Sequence, residues 1–274
     1  MAHWIQNFML RSRVLIFPSH IGKLMNHAAI KSQLKHYTKD VSFLRQNNLS
    51  LIISELGSAL GVSPPAFGGG FGAAMWAVDF HLAAMAGGIQ QVCNTQEPGA
   101  THSFWVPDDT GNNHTHGPSV QGVFVAAAFI TDFVGKGSSL GKVSEIDLDN
   151  KHVSGYVSYS LKSNEPQRIA LVNLKEWNQG STADRNSTYV TLNVGSDVKS
   201  AVVRRMSSEG GSFSRGFDLG GEDEVVTYAG QQYSWEKNGL EGPYPQDRTQ
   251  HKLDVQDGQV KVSVQDTEAV IVEL

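Results

Sequence analysis

The chain has 274 residues, of which 18% are charged and 40% are hydrophobic, and its formal net charge is −5. This composition is typical of a globular protein and excludes a largely disordered chain. No basic stripe and no apolar run of membrane-spanning length occur, so neither nucleic acid nor a membrane is an expected partner. The only cysteine, Cys93, excludes an intramolecular disulfide and a cysteine-based zinc site.

Residues 1–23 show no clear period and form an unassigned N-terminal segment. Arg11 and Arg13 interrupt their apolar residues, so the pattern of a signal peptide is not present. A helix is predicted from Leu24, because apolar residues then recur at spacings of three and four. These residues are Ile30, Leu34, Tyr37, Val41 and Leu44. The pair Asn47-Asn48 is predicted to end this helix.

The next stretch places one carboxylate at the end of an apolar strand. The strand Leu49–Ile53 runs into Ser54-Glu55, and a loop with the triplet Gly68–Gly70 leads into an apolar helix over residues 71–86. A strand, a glycine-rich loop and a helix make the βα unit of an α/β barrel, in which chemistry lies at the C-terminal ends of strands. Glu55 is therefore the first candidate catalytic residue, although a solvated carboxylate at a strand end explains the same pattern.

The helix over residues 71–86 is apolar nearly all round, which predicts that it is buried on several sides. Asp79 interrupts it and is predicted to make a buried hydrogen bond rather than to be catalytic. A short strand, Ile89–Cys93, follows, and a further apolar helix spans residues 120–134. Residues 24–135 thus have the α-β-α-β-α order of a parallel barrel or sheet, with only two clear strands.

Two features between these elements suggest a bound group but do not predict one. His102, His114 and His116 occupy a polar loop, yet their spacing fits no helix face and lacks companion carboxylates, so no metal is expected. The triplet Gly68–Gly70 precedes a helix, where phosphate can bind, but it lacks the Lys-Ser/Thr of a P-loop. No cofactor is expected.

After residue 137 the apolar residues alternate with period two, which predicts strands. The candidates are Val143–Leu148, Val153–Leu161, Arg168–Leu174, Tyr189–Val194, Ser200–Met206, Val225–Tyr228, Gln259–Val264 and Ala269–Glu273. Short strands at this spacing are typical of a β-sandwich. The predicted organisation is an unassigned segment (1–23), an α/β part (24–138) and a β-sandwich (139–274).

These residues resemble glycoside hydrolase family 79, the β-glucuronidase and heparanase-related group, in its fungal branch. Ser54-Glu55-Leu56-Gly57-Ser58 resembles the nucleophile motif at the seventh strand of that family's barrel, and residues 71–79 resemble its Phe-Gly-Ala-Ala-Leu-Trp-x-x-Asp helix. Residues 203–206 and 227–232 are similar to the β-glucuronidase C-terminal domain. The family's nucleophile motif is of the type Gly-Glu-Thr-Asn-Ser. Here Ser54 stands in place of the glycine before the glutamate, and Leu56-Gly57 stand in place of the Thr-Asn after it.

The resemblance implies the last two βα units of a (β/α)₈ TIM barrel followed by a C-terminal β-sandwich. It also implies a retaining glycosidase with Glu55 at the nucleophile position and a carbohydrate partner that contains a glucuronide. Gln96, Glu97 and Trp105 would then lie on loops at the active face and bind substrate, although Trp105 is as compatible with packing under its loop.

The family's acid/base glutamate follows the fourth barrel strand, which would precede Leu24. We therefore expect this chain to be an incomplete form that is inactive alone. Asn164-Glu165 imitates the acid/base motif, but it is predicted to be a turn between two strands. An extracellular location is expected from the family and from three glycosylation sequons at Asn48, Asn113 and Asn186.

A second hypothesis belongs to a different class. The β-sandwich would be a non-catalytic module that binds carbohydrate or a protein partner, with residues 24–135 as a residual scaffold. It predicts saccharide affinity without turnover and little effect of a Glu55 substitution on that affinity.

Overall fold

The structure is a computed structural model that describes residues 21–58, 65–97, 100–107, 118–135, 141–235 and 251–274. Its helices are α1 (Ile21–Leu24), α2 (His27–Leu34), α3 (Thr38–Gln46), α4 (Pro65–Gly68), α5 (Phe71–Ala86), α6 (Phe124–Val134) and α7 (Phe217–Gly220), with 3₁₀ turns at Lys35–Tyr37 and Gly221–Glu224. Its strands are β1 (Ile52–Leu56), β2 (Gln91–Asn94), β3 (Trp105–Val106), β4 (Ser119–Val120), β5 (Gly141–Ile146), β6 (Val153–Ser160), β7 (Pro166–Asn173), β8 (Ser187–Asn193), β9 (Ser200–Ser208), β10 (Val226–Tyr228), β11 (Gln231–Gln232), β12 (His251–Asp254), β13 (Gln259–Gln265) and β14 (Glu268–Glu273).

The N-terminal half contains a parallel strand pair and the helices around it. β1 pairs with β2 in parallel, and α5 connects them. In the described ranges this sheet has two strands, and a second small sheet joins β3 to β4 in antiparallel order. The predicted helix from Leu24 is divided into α2, a 3₁₀ turn and α3. Asn26 begins α2, because its side-chain oxygen accepts a hydrogen bond from the Ala29 N–H at 3.0 Å.

The C-terminal half is dominated by one antiparallel sheet. Its strand order is β11-β10-β9-β14-β7-β6-β5, and β12 also pairs with β9. A separate antiparallel pair, β8 with β13, keeps one register over seven residues. All eight predicted strand regions after residue 137 are observed, with bounds shifted by up to two residues, while β11 and β12 were not predicted. The predicted helix over residues 120–134 begins only at Phe124, because Ser119–Val120 form β4.

The large sheet lies between two apolar layers. Along β14, Ala269 and Ile271 belong to a core shared with α5 and α6, whereas Val270 and Val272 belong to a core shared with β8 and β13. All four side chains are fully buried. This is the period-two alternation of a strand whose two faces are both covered. The sheet therefore joins the helical half to the outer strand pair, and the predicted boundary near residue 138 remains a prediction.

α5 is the central helix of the molecule. Every residue from Phe71 to Ala84 is buried, as the sequence predicted. A loop of the sheet half completes its N-terminus, because the Ser214 and Ser212 carbonyls accept hydrogen bonds from the N–H groups of Phe71 at 2.7 Å and Gly72 at 2.8 Å. The start of α5 is thus fixed by residues about 140 positions further along the chain.

The buried hydrogen bond predicted for Asp79 is confirmed. Its carboxylate is fully buried and accepts hydrogen bonds from the His27 ring nitrogen Nδ1 at 2.8 Å, from the Tyr156 hydroxyl at 2.5 Å and from the Ser154 hydroxyl. His27 also contacts Glu145 through Nε2 at 3.1 Å. One carboxylate on α5 therefore connects α2 with β6.

Candidate active site

Glu55 lies at an irregularity in the parallel strand pair. Ile53 is paired with Val92 and Leu56 with Asn94, so β1 uses one more residue than β2 between these two pairs. The extra length falls at Ser54-Glu55, and both of these side chains are exposed while Leu56 is buried. Bulges of this kind redirect side chains beside active sites. Glu55 thus presents its carboxylate to solvent near the C-terminal end of β1. The strand was predicted at Leu49–Ile53, with Glu55 beyond its end, but it is observed three residues later, at Ile52–Leu56, so Glu55 is its penultimate residue.

Gln96 and Glu97 follow the end of β2 and hold the returning chain. The side-chain amide of Gln96 accepts a hydrogen bond from the Phe104 N–H at 3.0 Å and donates one to the Trp105 carbonyl at 2.6 Å. The Glu97 backbone is bound at both its N–H and its carbonyl by the Ser103 hydroxyl, at 3.0 and 2.8 Å. Both amide ends of Gln96 are therefore engaged with backbone, whereas the Glu97 carboxylate is exposed.

Trp105 lies in β3 on the same returning segment. Trp105 is 43% exposed, so part of its surface is open to solvent and part is covered. An open aromatic surface can stack on a sugar ring.

His102 is buried where the carboxylates of Glu55, in β1, and Glu97, after β2, both act on it electrostatically. His102 is 8% exposed. Burial lowers the pKa of its imidazole and outweighs the carboxylates of Glu97 and Glu55, which act to raise it. Its ring nitrogen Nδ1 is buried and has no hydrogen-bond partner among the described residues. The sequence placed His102 only in a polar loop, and nothing in local spacing reveals this burial or its two acidic neighbours.

A second buried histidine supports the end of β2. His81 of α5 donates from Nδ1 to the Ala77 carbonyl at 2.7 Å, and its Nε2 accepts a hydrogen bond from the Asn94 side chain at 3.1 Å. Burial lowers the pKa of His81, which agrees with this neutral tautomer. The central helix thereby fixes the strand end from which Gln96 and Glu97 continue.

Gly69 is where the loop after β1 approaches the loop after β2. A Cβ atom at this position would lie 2.4 Å from the Thr101 carbonyl oxygen and 2.6 Å from Gln121 Oε1. The Gly69 carbonyl also accepts a hydrogen bond from the Val123 N–H at 2.6 Å. The glycine triplet therefore allows close backbone packing, which is the reading preferred over phosphate binding.

We expect Gly69→Ala to lower the free energy of unfolding by about 2 kcal/mol, because the backbone carbonyl of Thr101 cannot move aside without shifting its loop. Gly87→Ala is the matched control, since a Cβ there meets nothing closer than 3.3 Å, and its effect should stay within about 0.5 kcal/mol. Urea unfolding followed by circular dichroism measures both. Equal effects in the two variants would contradict the close packing of these loops.

The remaining sequence candidates are clearly placed or lie outside the described residues. Asn164-Glu165 stands in the turn between β6 and β7, where Asn164 has a left-handed φ of 59° and both side chains are exposed. This agrees with the predicted turn. His114 and His116 lie outside the described residues. Within the described residues, no three histidine, cysteine or acidic side chains group together to hold a metal ion.

The C-terminal half of the chain, which contains the large sheet, is similar to a domain of a known protein family. Residues 155–271 match the model of the "Glycosyl hydrolase family 79 C-terminal beta domain". This range runs from β6 into β14 and covers the large sheet, except β5 and the ends of β6 and β14, together with the β8–β13 pair. The C-terminal region of the chain is therefore similar to the C-terminal domain of glycosyl hydrolase family 79. The family 79 resemblance read from residues 203–206 and 227–232 is thereby confirmed.

The match to the family 79 model is accompanied by similarity to a longer relative. The chain is 24% identical over 249 residues to a β-glucuronidase of Neurospora crassa, an alignment that covers 80% of this chain and 42% of that protein. The chain thus spans less than half the length of this curated relative.

Solved structures of glycoside hydrolases share the fold. A 4-O-α-L-rhamnosyl-β-D-glucuronidase from Fusarium oxysporum aligns with a TM-score of 0.75 and 22% identity, over 93% of this chain and 50% of that one. An α-L-arabinofuranosidase from Thermotoga maritima aligns with a TM-score of 0.54 and 11% identity, over 93% of this chain and 49% of that one. Such similarities extend over the N-terminal half as well as the family 79 domain.

Proposed function

We propose that this chain supplies the nucleophile, Glu55, of a retaining glycoside hydrolase of the β-glucuronidase type. The observation that carries the proposal is the exposed Glu55 carboxylate at the bulged C-terminal end of β1, beside the end of a parallel strand. The family 79 domain and the β-glucuronidase relative support it. In this reading β1, β2 and their helices are the last two βα units of a (β/α)₈ barrel.

The proposed chemistry is a double displacement. The Glu55 carboxylate attacks the anomeric carbon and releases the aglycone, and water then hydrolyses the glycosyl ester. A retaining mechanism requires a second carboxyl group roughly 5–5.5 Å away to protonate the leaving oxygen. We assign that role to a residue outside those described, because Asn164-Glu165 lies in the turn between β6 and β7 rather than at the end of β1 or β2. Without that second carboxyl group Glu55 would cleave ordinary glucuronides very slowly, since general acid catalysis contributes about 10²–10⁴-fold.

An activated substrate tests Glu55 independently of the acid/base residue. A dinitrophenyl β-glucuronide carrying fluorine at carbon 2 has a leaving group that departs without protonation, and the fluorine slows hydrolysis of the ester. We expect the purified chain to gain the mass of one fluoroglucuronosyl unit, mapped to Glu55 by peptide mass spectrometry. Glu55→Gln should gain none, because an amide is not a nucleophile at the anomeric carbon.

Glu97→Gln is the matched control, since it removes a carboxylate from the same edge of the strand pair. Labelling of Glu55 should persist in this variant. Label on Glu97 in the wild-type chain, or no label on any residue, would contradict the assignment of the nucleophile.

A non-catalytic carbohydrate-binding module is the second candidate. It is favoured by the separate apolar core between the large sheet and the β8–β13 pair, and by a family match confined to this half of the chain. It predicts that saccharide affinity, measured by isothermal titration calorimetry, is the same in Glu55→Gln as in the wild-type chain. Loss of affinity in that variant would exclude the module.

An extracellular location goes with the proposed function. Asn48 and Asn186, two of the three sequon asparagines, are exposed, and Asn113 lies outside the described residues. Among the helices of the described ranges, none combines the length and apolar character needed to span a bilayer.

A further inference from the structure

We propose that a groove between the α2–α3 segment and the C-terminal half of α5 binds a free amphiphile with one alkyl chain and one carboxylate. The groove has a volume of about 430 Å³, which is within the range of small-molecule sites. It is separate from the candidate active site. Because α5 connects two parallel strands, its C-terminal half lies toward the N-terminal end of β2, opposite the strand ends that carry Glu55.

Small side chains on both walls leave this space open. Ala28 and Ser32 of α2 line one wall, and Ala83 and Ala84 of α5 line the other. A Cβ atom at Gly87, which follows α5, would meet the Ala83 and Ala84 carbonyl oxygens at 3.3 and 3.4 Å and no other described atom within 4 Å. The two walls therefore pack without filling the space between them.

The floor and the dimensions of the groove suit an alkyl chain. Leu34, Val41 and Ile89 line the floor, and each is at most 9% exposed. The lining runs from Ala28 to Val41, which at a helical rise of about 1.5 Å per residue is a length of about 20 Å. The volume divided by this length gives a mean cross-section of roughly 20 Å².

This cross-section excludes bulkier ligands. An α-helix with its side chains is about 10–12 Å across and is too wide. An extended peptide would leave its backbone N–H and carbonyl groups against apolar walls without partners. A membrane phospholipid carries two alkyl chains side by side. A single unbranched chain fills the groove without any of these costs.

The rim of the groove favours an anionic head group. Lys31 and Lys35 lie one helical turn apart on it, and Lys31 is paired with Glu145. No carboxylate of the described ranges forms an ion pair with Lys35. The chain has a net charge of −5, yet the basic residues of positions 21–48 are opposed by a single acidic residue, Asp40. These basic residues are Lys23, Lys31, Lys35, Lys39 and Arg45. A carboxylate at the mouth of the groove is therefore attracted by its surroundings.

The test is isothermal titration calorimetry of the full chain with decanoate, dodecanoate and tetradecanoate, each below the concentration at which it aggregates. We expect one molecule bound per chain and an affinity that tightens on the order of tenfold for every two methylenes added, until the groove is filled. Dodecanol has the same chain without the charge and should bind about threefold more weakly than dodecanoate. Phosphatidylglycerol vesicles, whose lipids carry two chains, should not bind.

Matched variants locate the ligand. Ala28→Trp places a large ring at the mouth of the groove and should abolish dodecanoate binding, whereas Ala29→Trp, at the next exposed position but outside the groove, should leave it unchanged. Lys35→Glu should weaken binding about fivefold. Lys39→Glu makes the same change in net charge outside the groove and should weaken binding by less than about twofold.

No binding of dodecanoate by the wild-type chain, equal binding by the two tryptophan variants, or binding only to vesicles would overturn the proposal. An affinity that keeps rising with chain length would overturn it as well, because that behaviour indicates partition onto a surface. Circular dichroism shows whether Ala28→Trp folds, and Lys35→Glu tests the same groove by an exposed substitution if it does not. The outcome is independent of the nucleophile assigned to Glu55, since the groove lies at the other end of the strand pair.

Discussion

Replacement of Asp79 by alanine should lower the free energy of unfolding by about 3–5 kcal/mol, among the largest effects of any single change in this chain. The carboxylate is fully buried and accepts hydrogen bonds from His27, Ser154 and Tyr156. Its removal leaves the buried Ser154 hydroxyl without its carboxylate partner, leaves the Tyr156 hydroxyl only its 3.3 Å contact with the Asp79 backbone carbonyl, and opens a cavity against β6. Urea unfolding measured by fluorescence gives the change.

Asp132→Ala is the control for Asp79→Ala. Asp132 also lies on an apolar helix, α6, and also binds across to the large sheet, where Arg204 and Tyr228 contact it. Its side chain is 35% exposed, so water can replace much of what is lost, and we expect a cost of at most about 1 kcal/mol. A larger effect at Asp132 than at Asp79 would show that burial does not control the strength of these contacts.

The same carboxylate gives stability a defined pH dependence. Burial by itself would lower the pKa of His27, but Asp79 and Glu145 override it and raise the pKa above its ordinary value of 6.5. The stability gained from protonated His27 is thus complete below about pH 6.5 and is lost as the pH rises through the higher pKa of the folded protein. Stability of the wild-type chain should decline in this window, and Asp79→Ala should flatten the decline.

Short-range patterns predicted the elements of this fold well. The continuous apolar surface of residues 71–84 required burial on all sides, so the central position of α5 follows from the sequence. An ionisable residue within that surface required hydrogen-bond partners, so the bonding of Asp79 follows from it as well. Period-two alternation identified most strands of the large sheet. β12, His251–Asp254, was missed because its residues are largely polar and partly exposed.

The sequence predicted less well how residues far apart in the chain come together at the candidate site. Glu55 was predicted at a strand end, yet the bulge that exposes it depends on the pairing of Ile53 and Leu56 with β2. The approach of His102 to the two glutamates depends on loops held by backbone hydrogen bonds from Gln96 and Ser103. Such contacts leave no periodic pattern in the sequence, because they depend on how the loops after β1 and β2 return to the same end of the parallel strand pair.

Arg185 should be the most sensitive charged residue of the family 79 domain. Its guanidinium donates to the backbone carbonyls of Asp266 at 2.8 Å, Ser208 at 3.0 Å and Thr267 at 2.8 Å, and it lies 4.9 Å from the centre of the Trp177 ring. One side chain thereby connects the β13–β14 turn with the end of β9.

We expect Arg185→Met to cost about 3 kcal/mol in urea unfolding, because three carbonyl oxygens lose a charged donor while apolar packing on the ring is retained. Arg185→Lys should recover less than half of this, since a single ammonium cannot reproduce three directed donors. Lys261→Met is the control. Lys261 also lies over an aromatic ring, 4.7 Å from the centre of Tyr189, but that ring is 64% exposed, so the cost there should be about 0.5 kcal/mol. Equal costs at the two sites would mean that contact with the ring, rather than the three carbonyl bonds, accounts for the contribution of Arg185.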